Sequence, residues 1–362
     1  MLLQIVVIYL ITAISAEEYK LEFAQIIGRH GDRSPGFTYP NNPANSYWKQ
    51  GPLQLTQLGM KQHYELGQYF KGRYQGFTSP HYFHQEIYIY SSNEDRLIES
   101  ALSDMAGWFP PSDWQVFEKG LNWQPIPVHI TSISQDSLQV DWRGCKEWMK
   151  INQTVTSSPE YIAKINEARP MMAYIANHTG VEVNFFTNFG GFADLFLCEK
   201  CHNITLPKWF TNGVNYDQLQ EFSLYAQVNK FYTEEEQIIA GGPLFKMIRD
   251  NIVNKTKGYP TTAKNIIIYS GHDTTIIQLT KLMGVYNNIV VPYAAALLIE
   301  VYSDAVNDLY IKLSYRNESH SDPHVLQMPS CGFKEYCPIG SYLDLTKNKV
   351  ISLKELNAIC EY

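Results

Sequence analysis

The sequence FAQIIGRHGDRSP, residues 23–35, holds the pattern that decides the fold. Its first part, 23–27, is short and almost entirely apolar, as expected of a strand buried on both faces of a sheet. A glycine-flanked polar turn follows at 28–35 and contains two arginines, a histidine and an aspartate. The segment therefore predicts a buried strand whose carboxyl end leads into a loop of charged residues.

Two later segments repeat this design. The strand-like run 87–90 is followed by the polar turn 91–96, and the run 266–269 is followed by the turn 270–275. After each turn, apolar residues recur at spacings of three and four, which predicts an amphipathic helix. Repeated units of apolar strand, polar turn and helix predict an α/β fold with a largely parallel sheet flanked by helices on both faces.

The three polar turns hold the candidate site. Ligands of such sheets bind beyond the carboxyl ends of the strands. If the three strands are neighbours in the sheet, their turns bring six side chains to one rim: Arg29, His30, Arg33, Arg96, His272 and Asp273.

These residue types suit the chemistry of a phosphate ester. Arginine donates paired hydrogen bonds to phosphate oxygens and stays charged at any working pH. A neutral imidazole of His30 can attack phosphorus, and nearby arginines favour the neutral form. Asp273 is the candidate proton donor to the leaving alcohol, which predicts an acidic pH optimum. Each of these residues also has an ordinary structural explanation. An arginine could form a surface ion pair, a histidine could simply be hydrogen-bonded within its loop, and Asp273 could cap the N-terminus of a helix.

The middle of the chain differs from the rest. Residues 127–236 contain helical patches without clear strand–turn–helix units, which predicts a smaller, mostly helical cap domain inserted into the α/β domain. The α/β domain is then formed by 17–126 and 237–362.

The first 16 residues form an apolar run that ends in small side chains, as in a signal peptide. The run lacks lysine and arginine, so an uncleaved anchor is the alternative. No second long apolar run follows, which favours a soluble, secreted protein or a soluble lysosomal one. The formal net charge of -7 and the lack of a long basic run argue against nucleic acid as a partner.

Cysteines and glycosylation motifs agree with export. The six cysteines all follow the apolar run, and six cysteines allow 15 pairings. Sequons of the form N-x-S/T predict glycosylation at Asn152, Asn177, Asn203, Asn254 and Asn317.

RHGDRSP at 29–35 resembles the signature of the histidine acid phosphatases, a branch of the histidine phosphatase superfamily that includes prostatic, lysosomal and venom acid phosphatases. GHDTT at 271–275 resembles the second motif of that family, and SSNEDR at 91–96 resembles the element that carries its third phosphate-binding arginine. The similarity extends in order over essentially the whole chain after residue 16.

The resemblance implies an acid phosphatase that hydrolyses small phosphomonoesters through a covalent phosphohistidine. It implies His30 as nucleophile and Asp273 as proton donor. It also implies that Arg29, Arg33, Arg96 and His272 bind phosphate, that no metal or organic cofactor is used, and that homodimers form partly through the segment that begins at Trp123 and ends at His129.

The resemblance further implies disulfides Cys145–Cys360 and Cys331–Cys337. In the family, Cys198 meets a cysteine in the region 293–298, but this chain has none there. Because Cys201 lies three residues from Cys198, we expect a local Cys198–Cys201 disulfide instead.

Several other interpretations of short motifs in the sequence have less support. Residues 198–202 match the c-type haem motif C-x-x-C-H, but a disulfide fits an exported chain better. A single C-x-x-C offers too few ligands for zinc. The segment 344–355 faintly resembles a calcium loop, yet Lys349 stands where the turn needs glycine. For the whole protein, the alternatives are a phosphatase-like binding protein without turnover and a narrow-specificity phosphatase such as a phytase.

Overall fold

The structure is a computed structural model that describes residues 19–132, 135–140, 142–317 and 321–361. The predicted signal peptide, 1–16, lies outside the described residues. Within them, eight strands form one mixed sheet in the order β3-β2-β4-β1-β5-β6-β7, with β8 paired to β6. The strands are β1 (Lys20–Arg29), β2 (Ile87–Ser91), β3 (His129–Ile130), β4 (Ile266–Gly271), β5 (Ala296–Ser303), β6 (Leu309–Arg316), β7 (His324–Leu326) and β8 (Cys337–Pro338).

The three strands predicted from the sequence are neighbours at the centre of this sheet. β4 pairs in parallel with β1 on one side and with β2 on the other. In the register, Gly28 and Ser91 both lie opposite Ser270. Because the three strands run in the same direction and end at the same level, their polar turns meet at one rim.

The sheet becomes antiparallel beyond β1. β5 pairs antiparallel with β1, and β6 pairs antiparallel with β5 and β7. The sequence pattern does not locate the strands of this half, because they are not followed by the polar turns that marked the parallel half.

Successive side chains of the central strands point to opposite faces of the sheet. Ile26, Ile89 and Ile268 pack in the apolar cluster on one face. Ile27 and Tyr269 pack in the cluster on the other face. Burial on both faces explains why these strands read as continuous apolar runs rather than as an alternating pattern.

Eleven helices lie within the described residues. α1 (Gln57–Arg73) and α2 (Asp95–Trp108) cover one face of the sheet, and the helices that share the other apolar cluster include α3 (Lys146–Thr156), α8 (Glu234–Thr256), α9 (Asp273–Leu282), α10 (Ile339–Thr346) and α11 (Leu353–Cys360). The predicted α/β class, with a parallel central sheet flanked by helices on both faces, is confirmed. None of the helices that the structure describes combines the length and the apolar character needed to cross a bilayer.

A third apolar cluster belongs to the middle of the chain. It is built mainly by α4 (Pro159–Thr179), α5 (Phe189–Cys201), α6 (Lys208–Gly213) and α7 (Tyr216–Val228). Tyr39, from the loop after β1, also packs in it. Leu138 and Trp142 belong instead to a cluster of the sheet. The domain boundaries at 127 and 236 stay a prediction.

Two disulfides are present, Cys145–Cys360 and Cys331–Cys337. The expected Cys198–Cys201 disulfide is wrong, since both cysteines are free. They lie three residues apart on α5, where side-chain directions differ by about 60°. Cys198 is buried, with Sγ 3.5 Å from the hydroxyl of Tyr293, whereas Cys201 is exposed. Tyr293 therefore meets Cys198 at the start of the region where a cysteine was expected.

α1 and α2 approach each other closely at two glycines. A Cβ added to Gly67 of α1 would lie 2.0 Å from the carbonyl oxygen of Asp104 on α2. A Cβ added to Gly107 of α2 would lie 2.0 Å from the carbonyl oxygen of Tyr64 on α1. Both contacts are with backbone, so the helices must separate if either glycine is replaced.

Gly67→Ala is therefore expected to lower the free energy of unfolding by about 2 to 3 kcal/mol through overpacking. Gly72→Ala on the same helix is the matched control, because its Cβ would have no neighbour within 4 Å. That control should raise stability by up to about 1 kcal/mol, the helix propensity difference. Urea denaturation of both variants measures the contrast, and equal stabilities would contradict the close packing.

Candidate active site

The six predicted site residues converge on one cavity of about 440 Å³ at the rim of the sheet. The turn after β1 supplies three of them, the start of α2 supplies one, and the start of α9 supplies two. The cavity is lined by Arg29, His30, Arg33, Arg96, His272 and Asp273.

His30 follows the last residue of β1, and its backbone is held firmly. Its amide N–H donates to the carbonyl of Gly271 at 3.0 Å, and its carbonyl accepts from Ala294 at 3.2 Å. Its side-chain Nδ1 lies 2.8 Å from the carbonyl oxygen of Gly31. A carbonyl only accepts hydrogen bonds, so Nδ1 carries the proton and Nε2 of the neutral ring keeps its lone pair.

The electrostatic environment keeps His30 neutral. Burial holds the pKa of His30 well below its usual value of 6.5, and the positive charges of Arg29, Arg33 and Arg96 act in the same direction. His272 adds to this effect, with its ring centroid 5.7 Å away. The His30 ring therefore stays neutral in acidic solution, with Nε2 unprotonated.

Arg29 is buried at the end of β1. Its guanidinium donates to the carbonyl of Val291 and lies 3.5 Å from the carboxylate of Asp273. It also stacks over the ring of Tyr293, 4.2 Å from the centroid. Behind it, Nε2 of the buried His63 donates to the Arg29 carbonyl at 3.0 Å. These contacts leave Arg29 little freedom to move.

Arg33 is paired with Asp194, a residue of α5 that the sequence analysis did not identify. Both terminal nitrogens of Arg33 bind the carboxylate, at 2.9 Å and 3.0 Å. Burial lowers the pKa of Arg33, but the charge of Asp194 outweighs burial and the pKa is raised. The two-point contact fixes the plane of the guanidinium.

Glu94 connects Arg96 to His272. Its carboxylate pairs with Arg96 and lies 3.3 Å from Nε2 of His272. Burial opposes its ionisation, but the hydrogen bond from His272 and the charge of Arg96 lower the pKa of Glu94 to about 2. The same Nε2 lies 3.1 Å from Oε1 of Gln139, an acceptor, so Nε2 carries a proton.

Asp273 is the first residue of α9, beside the positive end of the helix dipole. Its carboxylate accepts from the Thr274 amide at 2.7 Å. Burial raises the pKa of Asp273, but Arg29, a hydrogen bond with Gln227 and the charge of His272 outweigh burial and bring the pKa below 3.8. The N-cap position of α9 is taken by His272.

The three arginines share one further feature. Each has a buried Nε that no acceptor in the described part of the chain satisfies. A buried N–H without an acceptor costs about 1 to 3 kcal/mol, so three of them around one cavity indicate an anion-binding site. These donors belong to Arg29, Arg33 and Arg96.

The structure also adds residues that carried no local signal. Asp194, Gln227, Arg143 and Lys230 line the same cavity, and they come from the region predicted as a cap. Only Glu94 lay inside a motif already singled out. The other four are placed by the packing of helices and loops against the rim, which sequence spacing does not reveal.

The weaker motifs have other roles here. His202, of the haem-like segment, lies with Nε2 2.6 Å from the buried carboxylate of Asp32. Glu355, of the calcium-like segment, forms a capping box with Ser352 at the start of α11. Among the described residues, no group of three or more His, Cys, Asp or Glu side chains is placed to hold a metal ion.

Known proteins are similar to this chain in sequence. Prostatic acid phosphatase of Bos taurus is 34% identical over 331 residues, covering 90% of this chain and 84% of that protein. Lysosomal acid phosphatase of Homo sapiens is 34% identical over 333 residues, covering 90% of this chain and 77% of that protein.

Solved structures agree on the fold. The phytase of Citrobacter braakii matches with a TM-score of 0.69 and 14% identity, covering 93% of this chain and 99% of that one. Hafnia alvei phytase in complex with tartrate matches with a TM-score of 0.68 and 16% identity, covering 93% and 98%. The family model described as histidine phosphatase superfamily (branch 2) matches residues 20–316. The predicted family is therefore confirmed, and the chain belongs to branch 2 of the histidine phosphatase superfamily.

Proposed function

We propose that this protein is an acid phosphatase that hydrolyses phosphomonoesters through a covalent phosphohistidine at His30. One observation carries the proposal: the neutral His30, with Nε2 unprotonated, lines a cavity surrounded by three arginines that each retain a buried N–H without an acceptor. Membership of a family whose curated members include acid phosphatases supports it.

In the first step, Nε2 of His30 attacks phosphorus and the bond from phosphorus to the ester oxygen breaks. The leaving alkoxide takes the proton of the Asp273 carboxyl, so an alcohol departs and Asp273 becomes a carboxylate. The arginines and His272 donate hydrogen bonds to the non-bridging oxygens, where charge accumulates. This step does not require a metal ion, because the arginines supply the positive charge.

In the second step, water attacks the phosphoryl group and the bond from phosphorus to Nε2 breaks. The Asp273 carboxylate accepts a proton from that water, which restores its acid form. The electron pair of the broken bond returns to His30, and inorganic phosphate leaves.

Export and glycosylation remain part of the proposal. The two disulfides fit a chain that folds in the oxidising ER lumen, on the route to secretion or to the lysosome. Of the sequon asparagines, Asn177, Asn203 and Asn317 are exposed, while Asn152 donates to Glu236 at 3.1 Å. The exposed three are the better acceptors for glycans.

We also propose a homodimer through the segment from Trp123 to His129. This segment leads into β3, a short edge strand. Trp123 within the segment is 39% exposed, Ile130 just after it is 46% exposed, and Trp114 and Phe117, earlier in the chain, are 68% and 61% exposed. Burying such a patch against a second copy is favourable.

Trp123→Glu is expected to shift the sedimentation coefficient from that of a dimer to that of a monomer, because the substitution places a charge in the proposed interface. An unchanged coefficient would place the interface elsewhere.

His30→Ala is expected to abolish turnover of para-nitrophenyl phosphate at acidic pH, because no other group in the site replaces the attacking nitrogen. His84→Ala, at an exposed histidine away from the rim, is the control and should keep full activity. Radiolabelled substrate quenched into alkali should leave phosphate on the wild type and none on His30→Ala. Full activity in the presence of a chelator is also expected, and loss of activity there would contradict the mechanism.

Asp273→Asn is expected to slow the hydrolysis of alkyl phosphates by about 10²- to 10⁴-fold, since an alkoxide needs a proton to leave. Para-nitrophenyl phosphate should be affected far less, because its leaving group is a weak base. As the pKa of Asp273 is lowered, kcat/KM of the wild type for alkyl phosphates should fall as pH rises from about 4 to about 7. Equal losses for both substrates would rule out Asp273 as the acid.

A further inference from the structure

Two cationic side chains that line the cavity differ from the three arginines in that they lack an ion pair with a carboxylate in the described part of the chain. Arg29 lies beside Asp273, Arg33 binds Asp194, and Arg96 binds Glu94. Arg143 and Lys230 line the same cavity, but neither forms an ion pair with a carboxylate in the described part of the chain. The sequence analysis singled out neither residue.

Both cations are mounted on one aromatic cluster. The guanidinium of Arg143 lies over the ring of Trp142, 4.3 Å from the centroid. Trp142 packs against Trp148 at 4.5 Å and Phe231 at 5.4 Å between centroids. Phe231 is the neighbour of Lys230 in the chain, so the cluster holds both cations at the same wall of the cavity.

The backbone around Lys230 is fixed as well. Nε1 of Trp148 donates to the Lys230 carbonyl at 3.0 Å. Nζ of Lys281 donates to the Phe231 carbonyl at 3.1 Å. These bonds hold the short turn from 229 to 231 in place. The position of the Lys230 ammonium is therefore limited mainly by its own side-chain rotamers.

Among the described residues, the positive charges at this wall are balanced only in part. Burial lowers the pKa of Lys230, and the nearby charge of Arg143 lowers it further, whereas the charge of Asp273 acts in the opposite direction. Two like charges that lie close together at one wall of a cavity repel each other. A bound anion would relieve this repulsion and satisfy donors of both side chains.

We propose that Arg143 and Lys230 form a second anion subsite, which favours phosphomonoesters whose organic part carries a second phosphate. The proposal rests on the function proposed above. The cavity of about 440 Å³ falls within the range of pockets that hold a whole small molecule, about 300 to 1,000 Å³. One phosphate then reacts at His30 while the other contacts the wall formed by Arg143 and Lys230.

The test compares two substrates with matched leaving groups, butyl phosphate and butanediol bisphosphate, which carries a phosphate at each end. Two equivalent reactive ends alone give a twofold advantage in kcat/KM. For the wild type we expect the bisphosphate to be preferred by a further five- to tenfold or so, the effect of one or two partly exposed charge-assisted contacts. A preference of only twofold would overturn the proposal.

Lys230→Met and Arg143→Met should each reduce the preference for the bisphosphate and leave kcat/KM for butyl phosphate within about twofold. Lys354→Met, at an exposed lysine on α11 that does not line the cavity, is the control for loss of one positive charge and should keep the preference. Activity on butyl phosphate also shows that each variant is folded. If Lys230→Met does not fold, Arg143→Met decides, because Arg143 is exposed.

The outcomes separate this proposal from the proposed function. If the wild type hydrolyses neither substrate, the phosphatase assignment itself fails. If it hydrolyses both and the variants lose activity toward both in equal proportion, phosphomonoesterase activity stands and the second subsite is overturned. Selective loss of the bisphosphate preference supports the subsite.

Discussion

Parallel backbone hydrogen bonding between β1, β4 and β2 sets the register on which the site depends. Since Gly28 and Ser91 both lie opposite Ser270, the three strands end together and their turns face the same space. A shift of one residue in any strand would turn its side chains to the opposite face of the sheet and displace its turn. The apolar clusters on both faces hold this register, so packing far from the cavity determines the geometry inside it.

The same rim holds several positively charged side chains close together, and most of them form an ion pair with a carboxylate. Glu94, Asp194 and Asp273 neutralise the three arginines and orient their planes. The carboxylates bind guanidinium nitrogens other than Nε, which is left without an acceptor in all three arginines. Partial neutralisation of this kind keeps the folded protein stable and leaves hydrogen-bond donors for an anion.

The sequence predicts the parts of the site that depend on local pattern. Arg29, His30 and Asp273 could be identified because each lies at the end of an apolar strand or in the short turn after it. Asp194 and Lys230 could not, because they come from helices and turns whose position against the rim depends on tertiary packing. The same limit explains the error at Cys198: spacing of three favoured a bridge to Cys201, whereas packing directs the thiol toward Tyr293. The antiparallel strands also lacked a marker, since nothing polar follows them at regular spacing.

The disulfide between Cys145 and Cys360 joins residues 215 positions apart and lies two residues beyond Arg143. It therefore couples one wall of the cavity to α11, a helix that contributes no side chain to the cavity. Local opening of α11 and local opening of the wall then belong to one cooperative unit. Hydrogen exchange in α11 would report on the order of the cavity wall, and reduction of this bond would let the two open independently.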